Sequence, residues 1–319
     1  MMVFYNDAYV APAHDFETTR KSAWLADRLH KGGFTDVELA DPSGHVDLAE
    51  TVLEEVHDAD YVHALRTGEP NDLAASQGFA WDEGIWTMAV NSTAGVLAAV
   101  ENVLDNGAVS GSLSSGLHHA RADRGSGFCT VNGLAVAARY ALARVDGTVV
   151  ILDVDAHCGG GTHGLVSGDE WVLHLDLSVN RFDGYSPAGQ NRLVVVSGGS
   201  SQDEADSRYL DELDELLAEV PEDASLVLYN AGMDPHPDVS SEALVERERR
   251  VAAWRAKTGL PLAFVLAGGY LGMLDQDELV DLHLHTVRAF AGTGLDGDPT
   301  ACHGLPLPSR SRMPEHSGS

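Results

Sequence analysis

The chain has 319 residues, 49 of them acidic against 20 lysines and arginines, for a formal net charge of −29, and 44% of it is hydrophobic. That length and apolar fraction suffice for a large α/β core, and no apolar run is long enough to span a bilayer. So acidic a chain, with lysine only at Lys21, Lys31 and Lys257, argues against a nucleic-acid partner, because phosphate contact needs basic patches. The opening MMVFYNDAYV lacks the basic region and small-residue cleavage site of a secretory signal. Cys129, Cys158 and Cys302 are too few for a disulfide framework. A cytoplasmic protein away from the membrane is expected. The acidity suits cationic substrates, and equally suits solubility or a high-salt setting.

In chain order, a loop over 71–82 ends in Phe79-Ala80-Trp81-Asp82, where Asp82 or Glu83 reads as a helix cap more readily than as an anchor for a cationic substrate. Periodicity and end signals predict helices over 85–104, closed by Asn106-Gly107, and over 132–143, 204–218, 241–257 and 278–290. Between them lie β-branched runs that end in polar residues: VVILDVDAH (149–157), SLVLYN (225–230) leading into AGMD, and PLAFVL (261–266) leading into AGGY. Strand and helix in alternation predict a three-layer α/β/α domain with a central, mostly parallel sheet. Candidate site residues spread from His118 to Tyr270 require one folded unit, residues 1–291, and a homo-oligomer of it is compatible with the sequence. From residue 292 the composition turns to Gly, Pro and Ser, so 292–319 reads as a surface-hugging or disordered tail.

The run at 149–157 carries the chemistry. Alternation along a strand puts Asp153, Asp155 and His157 on one face, at the carboxyl end where open α/β sheets place their sites. A carboxylate and an imidazole suit zinc or a similar divalent ion, and the third ligand must come from elsewhere, with Asp234 the candidate. Cys158 points away from His157 and is a poor ligand. Gly268 and Gly269 allow a tight turn that projects the Tyr270 hydroxyl. GLHHA (116–120) sets His118 beside His119, ahead of the loop GSGFC (125–129). Each feature also has a plain reading: a packed tyrosine, a surface histidine pair, a core Phe128, an N-cap at Asn132.

Taken together, GLHHA, GFCTVN (127–132), DVDAH (153–157), NAGMD (230–234) and AGGY (267–270) resemble the zinc-dependent histone deacetylases and acetylpolyamine amidohydrolases of the arginase-deacetylase superfamily. HDFE (14–17) and VHDADYV (56–62) extend the resemblance over most of the chain. It implies the arginase-deacetylase fold and hydrolysis of an acylated amine: an acetyl-polyamine, an acyl-lysine or a related small-molecule amide. Asp155, His157 and Asp234 would hold one zinc; His118 and His119 would be the base and acid pair, Asp153 backing the first. Tyr270 would donate to the oxyanion, and Gly127 and Phe128 would line the substrate channel. A structural potassium ion near Asp153 is also implied.

Where arginase-like relatives add carboxylates for a second metal, this chain has Gly159 and Gly232, which favours a mononuclear site. The stretch HCGGGT (157–162) replaces the family's H-H-G-N-G-T or H-H-G-D-G-T, so Gly160 offers no side chain and His119 is expected to lack its orienting partner. That loss opens a second class of function, a weakly active or non-catalytic binder of acylated amines. His174 stands where a serine is expected near Asp153, which puts the potassium site in question.

Overall fold

The computed structural model describes residues 1–292; the remainder of the tail predicted over 292–319 lies outside the described residues. Eight strands form one all-parallel sheet: β1 (Met2–Phe4), β2 (Glu38–Ala40), β3 (Val109–Ser112), β4 (Val149–Asp153), β5 (Val172–Ser178), β6 (Arg192–Val195), β7 (Leu226–Gly232) and β8 (Leu262–Ala267). Their order is β2-β1-β3-β8-β7-β4-β5-β6. The chain lays down β1 to β3 on one side and β4 to β6 on the other, and then fills the gap with β7 and β8. Those two inserted strands lead into Asp234 and Tyr270, which brings both beside the end of β4.

The central strands are buried on both faces, as a parallel sheet under helices requires. Val150 and Leu152 of β4 join a core with Val227, Tyr229, Leu262 and Phe264. Val149 and Ile151 face the opposite core with Leu226, Leu228, Ala263 and Val265. The first core is covered by helices Glu17–Lys31, Gln202–Glu219, Ser241–Thr258 and Gln276–Ala291, the second by Val46–Val56, Glu83–Asn106 and Gly133–Leu142. This is the expected three-layer architecture.

All five predicted helices form, with bounds that differ by one or two residues at most ends. Helix Glu83–Asn106 is capped at its start by the Asp82 side chain, which accepts from Gly84 N, and is closed by Gly107 in the left-handed region. Asp82 therefore caps. The helix Gln276–Ala291 opens with a capping box between Asp275 and Glu278. Among the described residues, no helix is long and apolar enough to cross a membrane.

Candidate metal centre and active site

β4 ends at Asp153, so Asp155 and His157 lie on the turn beyond it and do not continue the strand's alternation. Hydrogen bonds shape this turn. Asp153 Oδ1 accepts from Asp155 N at 3.2 Å and from Asn230 Nδ2 of β7 at 2.7 Å. Asp155 Oδ1 accepts from His157 N at 3.0 Å, and Asp234 Oδ1 from Ala156 N at 3.1 Å. From behind, buried Arg247 donates to the Val154 carbonyl at 3.2 Å.

The result is a group of three donors, Asp155, His157 and Asp234, whose ligand atoms lie within 4.8 Å of one another. His157 Nδ1 is 3.2 Å from both Asp155 Oδ1 and Asp234 Oδ2. Asp234 Oδ2 is enclosed and accepts no hydrogen bond. Burial, then the neighbouring Asp155 charge, raises the Asp234 carboxyl above its usual range. Burial would raise Asp155 too, but His118 and His157 hold it low. Two enclosed carboxylates, one with an unsatisfied oxygen, and an imidazole fit a borderline divalent ion. Neither second-metal position has room for a side chain: a Cβ at Gly232 would overlap Asp155, and one at Gly159 would press on Asp153 Oδ2 and the His174 ring.

The histidine pair sits beside this group. His118 Nδ1 meets Asp153 Oδ2 at 2.7 Å, and His118 Nε2 lies 3.1 Å from His119 Nε2. His119 Nδ1 meets Asp183 Oδ2 at 3.0 Å. This corrects the expectation that Gly160 leaves His119 without a partner; the carboxylate comes from another loop. Burial opposes the charged form of His118, yet Asp153 and Asp155 carry it up to about 10. His119 is lowered by burial and by the His118 charge, against the pull of Asp183. The two rings are thus unequal, one favouring imidazolium and the other neutral imidazole. Asn132 does more than cap its helix: besides accepting from Ala135 N, its amide donates to the carbonyls of His118 and Ala120, which fixes the loop that carries the pair.

Tyr270 closes the pocket that Asp155, His157, His118 and His119 also line. Gly268 and Gly269 both have positive φ, 54° and 84°, and a Cβ at Gly268 would overlap the Asp234 carboxylate. Only glycine allows the chain to pass so close. Beneath the turn, fully buried Lys21 donates to the Gly268 carbonyl at 2.5 Å. Burial lowers its ammonium to about 7, although Asp234 and Asp155 favour the charge.

Gly127 and Phe128 both line the pocket, and Phe128 is 46% exposed, a wall and not core. A Cβ on Gly127 would strike the His119 ring. Three further aromatic residues share the mouth: Phe16 of the HDFE stretch, Phe79 of the 71–82 loop, and Phe182, which the sequence did not single out. Phe16 lies 4.7 Å from Phe128 and Phe79 5.3 Å, ring centre to ring centre. Phe182 stands edge-on to His119 at 5.0 Å and is 50% exposed. Phe79 brings the 71–82 loop up to Phe128 at this mouth.

His174 does stand beside Asp153, together with a second polar group of β5. The register partner of Asp153 on β5 is Asp176; His174 pairs with Ile151. Asp176 accepts from Ser178 Oγ at 2.7 Å, Gly159 N at 2.7 Å and the Tyr185 hydroxyl at 3.1 Å, and burial with the Asp153 charge raises it to about 7. His174 Nε2 is buried without a hydrogen-bond partner, 4.0 Å from Asp153 Oδ2.

The comparisons with known proteins agree with this geometry. The chain matches the family described as the histone deacetylase domain over residues 14–286. An uncharacterized protein of Picosynechococcus sp. is 30% identical over 231 residues, covering 68% of this chain and 75% of that protein. Acetylpolyamine amidohydrolase of Mycoplana ramosa is 26% identical over 309 residues, covering 80% and 87%. The crystal structure of acetylpolyamine aminohydrolase from Burkholderia pseudomallei superposes with a TM-score of 0.71 at 21% identity, over 92% of this chain and 98% of that one, a likeness of fold. The chain therefore belongs to the histone deacetylase domain family.

Proposed function

We propose that the protein is a zinc-dependent amidohydrolase that cleaves the amide of an acylated amine, with an acetyl-polyamine, an acyl-lysine or a related small-molecule amide as substrate. One observation carries the reading: Asp155, His157, the His118 and His119 pair and Tyr270 line one pocket, and Asp234 completes a donor group with the first two. Asp155, His157 and Asp234 would hold one zinc ion, which when bound would supply a Lewis acid for the amide carbonyl and lower the pKa of water to about 7. His119, the neutral ring, takes the proton of the attacking water at Nε2. His118, kept as imidazolium by Asp153, delivers a proton to the departing amine. Tyr270 donates its O–H to the oxygen on which negative charge develops. Gly127, Phe128, Phe16 and Phe79 form an apolar collar that suits the methylene stem of an amine arm.

The domain responsible is 1–291, and the buried thiols of Cys129 and Cys158 support a reducing cytoplasm. Beside Asp153, the Asp176 carboxyl oxygens would suit the implied potassium ion, and His174 Nε2 lies 4.0 Å from Asp153 Oδ2. The non-catalytic alternative depends on His119 having no partner; Asp183 supplies one.

The test is turnover of acetylated diamines and acyl-lysine peptides by purified protein, together with metal analysis. About one zinc per chain is expected, with activity lost to a chelator and restored by zinc. Two manganese ions required together, or no hydrolysis of any acylated amine by the zinc-loaded protein, would overturn the reading.

The histidine roles make a prediction of their own. A base must be neutral to work, and a lowered pKa keeps His119 neutral to lower pH. The kcat/KM profile should therefore hold down to a pH below about 6.5, the free imidazole value, and fall only beneath it. His119→Ala should remove that acidic limb; if His118→Ala removes it instead, the roles are reversed.

A further inference from the structure

We propose that Asp183, carried by the loop between Asn180 and Gly184, is the positioning residue of His119, its carboxylate filling the space that Gly160 leaves free. The inference rests on the hydrolytic reading above and adds a residue to it.

Three sets of contacts converge on this one side chain. Asp183 Oδ2 receives His119 Nδ1 at 3.0 Å and the backbone N–H of Gly161 at 3.0 Å, while Oδ1 pairs with the guanidinium of Arg121. Steric fit matches. A Cβ on Gly160 would overlap both the carbonyl and the carboxylate of Asp183, so the loop can approach only because residue 160 has no side chain. Backbone conformation matches too: Asp183 has φ 58°, the left-handed region, which aspartate tolerates better than most residues. The absence at 160 and the presence at 183 are two sides of one arrangement.

Its chemical consequence follows from the imidazole's two nitrogens. With Nδ1–H donated to Asp183, a neutral His119 must present a lone pair at Nε2, the atom that faces His118 and the pocket. Loss of the acceptor would free the ring to turn and to hold its proton on either nitrogen. Arg121 has the complementary task of holding the carboxylate in place. Phe182, next in sequence, stands edge-on to the same ring, so one short loop supplies both a wall of the mouth and the partner of His119.

The experiment compares zinc-loaded parent, Asp183→Ala, Asp183→Asn and Gly160→Ala on a substrate the parent turns over. Asp183→Ala is expected to lower kcat by about 10- to 100-fold, the range for partners that orient a site histidine, with KM changed less than about threefold and zinc content intact. Asp183→Asn keeps an acceptor oxygen for Nδ1–H and should recover most of the loss. Gly160→Ala leaves Asp183 chemically unchanged but drives it away, and should reproduce the fall in kcat. A parent that hydrolyses no acylated amine refutes the hydrolytic reading and this inference with it. An active parent whose Asp183→Ala variant keeps its kcat and the acidic limb of its pH profile, or loses thermal stability alone, refutes the inference and leaves the hydrolytic reading standing.

Discussion

Asp234→Ala is expected to lose stoichiometric zinc and to cut turnover by at least about a thousandfold, because a site with two protein ligands left has neither the affinity nor the fixed geometry of one with three. A separate signature distinguishes loss of a ligand from general damage. In the apo protein Asp234 is a buried carboxylate raised by burial and by Asp155, so its charged form is held there at a cost. Removing it relieves that cost and sacrifices the hydrogen bond from Ala156 N and the contact with His157 Nδ1. The apo variant should thus melt no more than a few degrees from the apo parent, while the rise in melting temperature that zinc gives the parent should vanish. Isothermal titration with zinc and paired melting curves measure both. A variant that binds one equivalent of zinc with the parent's affinity would remove Asp234 from the ligand set.

How much of this was readable beforehand depends on whether the relevant residues are local in sequence. Residues 149–157 announce a buried strand followed by candidate metal ligands, since β-branched periodicity and D-x-D-x-H occupy one continuous stretch. Helix Glu83–Asn106 is legible at both ends, from Asp82 and from Gly107. By contrast, β1 and the edge strand β2 are three residues each and carry too little pattern to register. β5 was hidden by the polar His174 and Asp176, which are buried against Asp153 and so interrupt an otherwise apolar strand.

The same distinction governs the site. Asp155, His157 and Asp234 follow strands, whose order brings them together. Asp183 lies 64 residues from His119, in a loop with no motif, and its role depends on a neighbour's missing side chain. A faint signal existed in Asp183-Gly184, a turn pair suited to left-handed backbone, but nothing local says what the carboxylate meets. Lys21 was similarly silent. One of three lysines in an acidic chain, it looks like a surface residue until the fold closes over it beneath Gly268.

Tyr270→Phe is expected to lower kcat by about 100- to 1000-fold while KM moves little, because in the proposed mechanism the phenol donates to charge that exists only as the tetrahedral state forms. The protein prepares that donor in two ways. Desolvation at the pocket, followed by the Asp234 and Asp155 charges, raises the phenol well above its ordinary value, so the O–H persists across the working pH range and remains a donor. The position of the ring is set by the paired glycines, and Lys21 anchors the Gly268 carbonyl from below. Phenylalanine preserves the ring contact with Phe16 at 5.9 Å, and the tyrosine hydroxyl has no hydrogen bond within the described residues whose loss would destabilise the fold. A fall in turnover would therefore report on the hydroxyl itself. Steady-state kinetics on a good substrate, with zinc content and melting temperature measured in parallel, decides it. Near-normal kcat in the zinc-loaded variant would reduce the glycine-tyrosine turn to a packing element of the mouth.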